Sequence, residues 1–195
     1  MRIRHLIVAY ATVLALSSCD VMKQVSSSYN MINCKYDYNS ISGLSLAGMN
    51  FSQGLSAANV LQATALLSGG AKSSLPLNFT LNLDVSNPNQ TAALLNGMQY
   101  VLSIDDVEFT TGSVTQRLDI PAGGKSVLPL TIGVDLAKLL SGDSKNAVTN
   151  IAKNFLGIGS SKSNVTIQIK PSFNVAGYTV ASPVYIPVSF TFGGK

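Results

Sequence analysis

Few residues in this chain have side chains suited to act on a substrate. Asp105-Asp106 and the single glutamate, Glu108, form the only acidic cluster. Such carboxylates can touch a calcium ion, but a calcium loop needs oxygen ligands at alternating positions and a closing bidentate Glu. That frame is missing, so the cluster reads as a solvated hairpin tip. Gly123-Gly124-Lys125-Ser126 has the composition of the end of a phosphate-binding loop. The first Gly of that motif would fall on Asp119, and the motif must open a helix. Alternating apolar residues follow instead, so the segment reads as a turn. The one histidine is His5, at the extreme N-terminus. Without another, the body of the chain cannot build a serine–histidine pair, a cysteine–histidine pair or a zinc site. Cys34 has no basic neighbours to lower its pKa, so it reads as a small semi-buried residue rather than a reactive thiol. No catalytic residue, metal ligand or cofactor is assigned on this basis, and binding residues stay open.

Composition narrows the classes further. Charged residues are 11% of the chain, apolar residues 46%, and the formal net charge is +4. That is not the electrostatic footprint of a nucleic-acid binder. Nor is it the composition of a disordered chain, which lacks apolar residues.

The N-terminus points to a compartment. Arg2 and Arg4 precede Leu6–Leu16, an uncharged apolar run of 11 residues. A bilayer crossing needs ~20 residues. A basic start, a short apolar run and small residues make a secretory signal. Leu16-Ser17-Ser18-Cys19 resembles the lipobox of bacterial lipoproteins, in which the Cys is acylated and becomes the first residue. The resemblance makes Cys19 the lipid-attachment site. It implies a membrane-anchored lipoprotein of the bacterial cell envelope, with the membrane as partner through its acyl chains. Asp20 leaves the choice of inner or outer membrane open. Cleavage would remove Arg2, Arg4 and His5, and Cys34 would then have no intramolecular disulfide partner. The expected organisation is a signal peptide at 1–18, a lipidated Cys and Ser-rich tether at 19–31, and one domain at 32–195.

Alternation is the main signal within that domain. In 75–86, Leu75, Leu77, Phe79, Leu81, Leu83 and Val85 occupy every odd position. A period of two buries one face of a strand and solvates the other. The pattern recurs at Met98–Ile104, at Val114, Leu118 and Ile120, at Leu128–Val134, at Val165–Val175 and at Val184–Phe192. The first strand is less clear, with Tyr36 and Tyr38, then Leu44 and Leu46. About seven such strands joined by short turns must pair antiparallel and hide their apolar faces on each other. The expected fold is all-β: an immunoglobulin/fibronectin III-like antiparallel sandwich with two helical insertions. Pro171 and Pro187 inside strand patterns imply edge strands or bulges, which favours open sheets over a closed barrel. The insertions are Ser56–Ser68, with Ser56 as N-cap, and Asp143–Leu156. In the second, Val148, Ile151, Ala152 and Phe155 make one apolar stripe and Gly157 is the stop. Leu136, Leu139 and Leu140 suggest a further helical turn.

Between two of these strands stands Asn87-Pro88-Asn89. Proline cannot continue a ladder, and Asn bonds its own backbone readily, so the triplet reads as a corner rather than a ligand site. Further along come Met98–Ile104, Asp105-Asp106, Gly112, Ile120-Pro121-Ala122 and Leu128–Val134. This succession resembles the late embryogenesis abundant group 2 proteins, also called the water-stress and hypersensitive-response domain. The resemblance covers residues 83–134 closely, and the helix at 56–68 departs from it. It implies a β-sandwich and a non-catalytic role: a stress-protective or scaffolding protein acting by non-covalent contact with an envelope protein or lipid. The alternative is a carrier or sensor of an apolar ligand.

Overall fold

The alternation of residues 75–86 becomes one strand whose odd positions are all buried, as a period of two requires. The computed structural model describes residues 22–23, 25–27, 29–51, 56–68, 74–140, 145–175 and 177–193. Its elements run β1 (Lys35–Leu46), β2 (Met49–Asn50), α1 (Ala57–Ser68), β3 (Pro76–Ser86), β4 (Ala93–Leu95), β5 (Gly97–Ile104) and β6 (Val107–Val114), then β7 (Leu118–Ile120), β8 (Lys125–Asp135), α2 (Leu136–Leu140), α3 (Lys145–Phe155), β9 (Lys162–Val175), β10 (Tyr178–Ala181) and β11 (Ile186–Gly193). Seven strands have eight or more residues, as expected. The alternation read at Val114, Leu118 and Ile120 is split between two elements, Val114 ending β6 and Leu118 and Ile120 lying in the short β7, while the short β2, β4 and β10 had no readable pattern.

All pairings are antiparallel. One sheet has the order β2-β1-β3-β8. In the other, β9 is flanked by β5, with β6 beyond it, and by β10 and β11 on its far side. A two-stranded ribbon, β4-β7, stands apart. The sheets face each other over one apolar core, and Tyr38 of β1 stacks on Phe190 of β11 at 4.1 Å between ring centroids. The architecture is an open antiparallel β-sandwich.

Two sequence readings are corrected. Pro171 lies in β9, an interior strand rather than an edge. Its ring nitrogen faces the break between β10 and β11, where the chain leaves the sheet at Ser182 and returns at Ile186. There Ser182 N–H donates to Pro171 O at 2.7 Å. A proline is tolerated because no ladder donor is needed at that gap. Pro187 does lie on an edge strand, as expected. Val184 falls outside β11 and is exposed.

The helices dock as their patterns predict. Ser56 Oγ accepts from Asn59 N–H at 3.1 Å, the expected N-cap of α1. Asp135 ends β8 and caps α2, its Oδ1 accepting from Leu75 N–H at 2.7 Å and Ala137 N–H at 3.1 Å. Those donors, Leu75 first, hold its carboxyl below the usual range. The α3 stripe of Val148, Ile151, Ala152 and Phe155 is buried. Phe155 packs between Phe79 of β3 and Phe192 of β11, with centroids 5.2 and 4.8 Å away. So α3 closes one end of the sandwich, reaching both sheets. Gly157, at φ 70°, terminates it. The expected start at Asp143 lies outside the described residues.

Candidate functional site

Asn87-Pro88-Asn89 sits where β3 ends, at the end of the sandwich opposite α3. Asn87 is 2% exposed. Its Nδ2 donates to Thr91 O at 2.9 Å and to Ile120 O and Pro121 O at 3.0 Å. Its Oδ1 accepts from Asn89 N–H at 3.0 Å and Asn89 Nδ2 at 2.7 Å. Its backbone N–H reaches Gly124 O at 2.9 Å. One side chain thus ties the end of β3 to its own loop and to the Ile120-Pro121-Ala122 turn. Asn89 Nδ2 also donates to Asn30 O at 3.1 Å. Asn30 in turn donates to Thr91 Oγ1 at 2.6 Å and Ala92 O at 3.1 Å. The Asn87 side chain is therefore spent inside the fold, and the triplet is a corner.

Asn30 was not legible as part of this corner. It lies in the segment expected to be a tether, yet residues 29–32 are helical and Met31 is fully buried. The folded body therefore takes in the last residues of that segment. Pro88, by contrast, is exposed. Pro88→Ala is expected to cost only about 0.5–1 kcal/mol, through a larger unfolded ensemble. Circular dichroism melts check this; an unchanged melting temperature together with a lost partner would favour a binding role for the triplet.

The acidic cluster is the hairpin tip that the spacing suggested. Asp105 and Asp106 take φ of 48° and 64° between β5 and β6, as a tight two-residue turn requires. Asp105 Oδ1 accepts from Asn164 N–H at 2.8 Å, so it also pins the start of β9. Among the described residues, no three His, Cys, Asp or Glu side chains are grouped to hold a metal ion. Gly123-Gly124 forms a turn closed by Gly124 N–H to Pro121 O at 2.9 Å, and β8 follows it, not a helix. Gly112 has a packing reason: Tyr100 opposite it in β6's partner strand lies where a Cβ would stand.

Cys34 is buried, and burial pushes its thiol up to about 11. At neutral pH it stays protonated, so it is no nucleophile. Next to it Tyr36 donates its hydroxyl to Met31 O at 2.8 Å, and burial, with Cys34 as a lesser contribution, raises its phenol well above the usual value. Cys19 and Asp20 lie outside the described residues, as does the whole signal segment 1–18. No helix among the described residues is long and apolar enough to cross a membrane, which says nothing of β-barrels.

A second polar residue escaped sequence reading. Asn154 lies on α3 yet is 2% exposed. Its Nδ2 donates to Ser163 Oγ at 2.8 Å and Ser161 Oγ at 3.3 Å. Gly159 passes so close that any Cβ there would collide with Asn154 Oδ1. Nearby, an open groove of about 840 Å³ runs between α1 and the turn after α3, lined by Ala57, Val60, Leu61 and Gly157–Ser160.

The geometry defines a class: an antiparallel β-sandwich whose buried polar corners are structural ties. The family model described as late embryogenesis abundant protein matches residues 82–184, more than half of the 195 residues, and the chain belongs to that family. It is accordingly a stress-related protein. No curated protein sequence matches it. Among solved structures, a crystal structure of an Archaeoglobus fulgidus protein is 11% identical, covering 82% of this chain and 98% of that one, with a TM-score of 0.38. The solution structure of an Arabidopsis thaliana protein is 10% identical, covering 82% and 77%, with a TM-score of 0.40. The solution structure of a protein described as late embryogenesis abundant is also 10% identical, covering 92% and 85%, with a TM-score of 0.38.

Proposed function

We propose that this chain is a lipid-anchored protein of the bacterial cell envelope that protects or scaffolds envelope components under stress by non-covalent contact, without turning over a substrate. Family membership supports the stress-related part. Leu16-Ser17-Ser18-Cys19 behind an apolar run of lipoprotein-signal length supports the anchor. The observation that carries the non-catalytic part is how the polar side chains are used. Asn30, Asn87, Asn154 and Asp105 are each bonded within the fold. Among the described residues, no buried polar side-chain atom lacks a partner.

Cys19→Ala tests the reading. The variant should move from the detergent phase to the aqueous phase, lose its acyl chains by mass spectrometry, and rescue the envelope or desiccation defect of a deletion strain poorly. Wild-type chain in water with an unmodified Cys19 would remove the anchor. Full rescue by the soluble variant would remove the membrane-proximal role.

The groove beside α1 favours a second reading, an apolar-ligand carrier. Leu61 is 72% exposed along it. A defined lipid leaving the purified chain in native mass spectrometry would establish that reading over the first.

A further inference from the structure

We infer that one pole of the sandwich, the pole where the N-terminal helical residues join the body, lies directly against an anionic lipid surface. The inference rests on the acyl anchor at Cys19 proposed above.

Strand register fixes which residues share that pole. Lys35, Ser86 and Lys125 stand level in β1, β3 and β8. The short link from Thr91 to Asn96 joins this level to the other sheet: Asn87 bonds Thr91 O, and Asn96 N–H donates to Ser172 O at 3.1 Å. Arg117, Asn174 and Gly177 line one cleft there with Leu94 and Asn96. The helical residues 29–32 are held at the same level through Asn30.

Two exposed apolar features meet at this pole. Met22, Val25 and Tyr29 are 69, 46 and 63% exposed. Each is helical, and their spacing of i, i+3, i+7 is that of one helix face, while Met31, two positions beyond Tyr29, is buried. Tyr178, at the start of β10, is 76% exposed. Lys23, Lys35 and Arg117 are exposed around them, against Asp37 and Asp119. The basic excess is modest, so apolar contact carries most of the docking and charge selects anionic headgroups.

Chain geometry says what covers this surface. Only Asp20 and Val21 separate Cys19 from Met22. Three residues at full extension span at most about 11 Å, so acyl chains on Cys19 lie within that reach of Met22. The 11 residues of β3 set the two poles roughly 35 Å apart. Acyl chains on Cys19 therefore hold this pole, and not the α3 pole, at the headgroups. The exposed Met22, Val25 and Tyr29 with Lys23 beside them offer the apolar contact and positive charge by which a helix lies in that interface. The lysines Lys138, Lys145 and Lys162 belong to the other pole and face away.

The sequence contains no tryptophan, so a single introduced one reports its own surroundings. Tyr29→Trp, Tyr178→Trp and Leu61→Trp are made separately in the full, lipidated chain. Each is reconstituted into phosphatidylethanolamine–phosphatidylglycerol vesicles with brominated or ordinary acyl chains. Burial at the headgroup–acyl boundary should quench emission about twofold at positions 29 and 178, while position 61 on α1 stays unquenched. Protein that floats with the vesicles but is unquenched at 29 or at 178, or is quenched at 61, overturns the docking and leaves the anchor standing. Protein that does not float removes the anchor and this inference with it.

Discussion

Asn87→Ala should lower the stability of this domain by about 3 kcal/mol, several times the effect of Pro88→Ala one residue later. The side chain donates to three carbonyls and accepts from both nitrogens of Asn89. Removing it strands at least Ile120 O, whose bond is fully buried. A buried group left unsatisfied costs about 1–3 kcal/mol, and the loop from Asn87 to Thr91 loses its internal tie as well. For a domain of this size the melting temperature should fall by about 6–12 °C. Asn87→Asp separates hydrogen bonding from shape. It keeps the size but turns a donor toward three carbonyl oxygens into an acceptor. Its carboxyl would be held above its unfolded pKa, so its deficit should be full at neutral pH and shrink as pH falls toward about 4. Asn87→Ala should show no such recovery. Loss under about 0.5 kcal/mol in both variants, with a partner lost instead, would return the triplet to the status of a binding site.

How far the fold was legible depended on whether a strand kept its phase. β3 and β8 pair without a slip over 11 residues, so their alternation could be read directly. β1 could not, because two register shifts interrupt it, between Tyr38 and Ser40 and between Ser42 and Ser45. Tyr36 and Tyr38 oppose Val85 and Leu83, then Ile41 opposes Leu81 and Leu46 opposes Leu77. The core-facing residues change from even to odd positions and back, and each inserted residue resets the phase. Gly43, at φ 63°, lies within the second shift. β10 was hidden for another reason: all four of its residues are exposed, so no burial period exists to detect. The corner was legible in Asn87-Pro88-Asn89 because those residue types have local chemistry. Its third partner, Asn30, is 57 positions upstream of Asn87 in a Ser-rich stretch, and no local pattern announces a bond across that separation. Asn154 is concealed similarly, since a polar residue beside an apolar stripe looks like the solvent face of the helix.

Phe155→Ala should be the most damaging single truncation in the helical part, costing about 3–5 kcal/mol. Phe155 is 3% exposed and is the residue through which α3 touches both sheets at once. Truncation removes a ring from between Phe79 and Phe192 and leaves a void that the two sheets cannot fill without closing on each other. Without the ring, the buried residues left to hold α3 are Val148, Ile151, Ala152 and Asn154. The loss should therefore be local before it is global. Amides of α3 and β11 should exchange faster, ahead of β3, which keeps β1 and β8 on its flanks. Phe155→Leu, which keeps much of the volume, should cost well under half as much. The Asn87 corner lies at the far end of the same strands, so Asn87→Ala and Phe155→Ala share no partner and their effects should add within about 0.5 kcal/mol. A cost for Phe155→Ala below about 1 kcal/mol, or unchanged exchange in α3 and β11, would mean that the helix merely covers the sandwich end and does not hold the two sheets together.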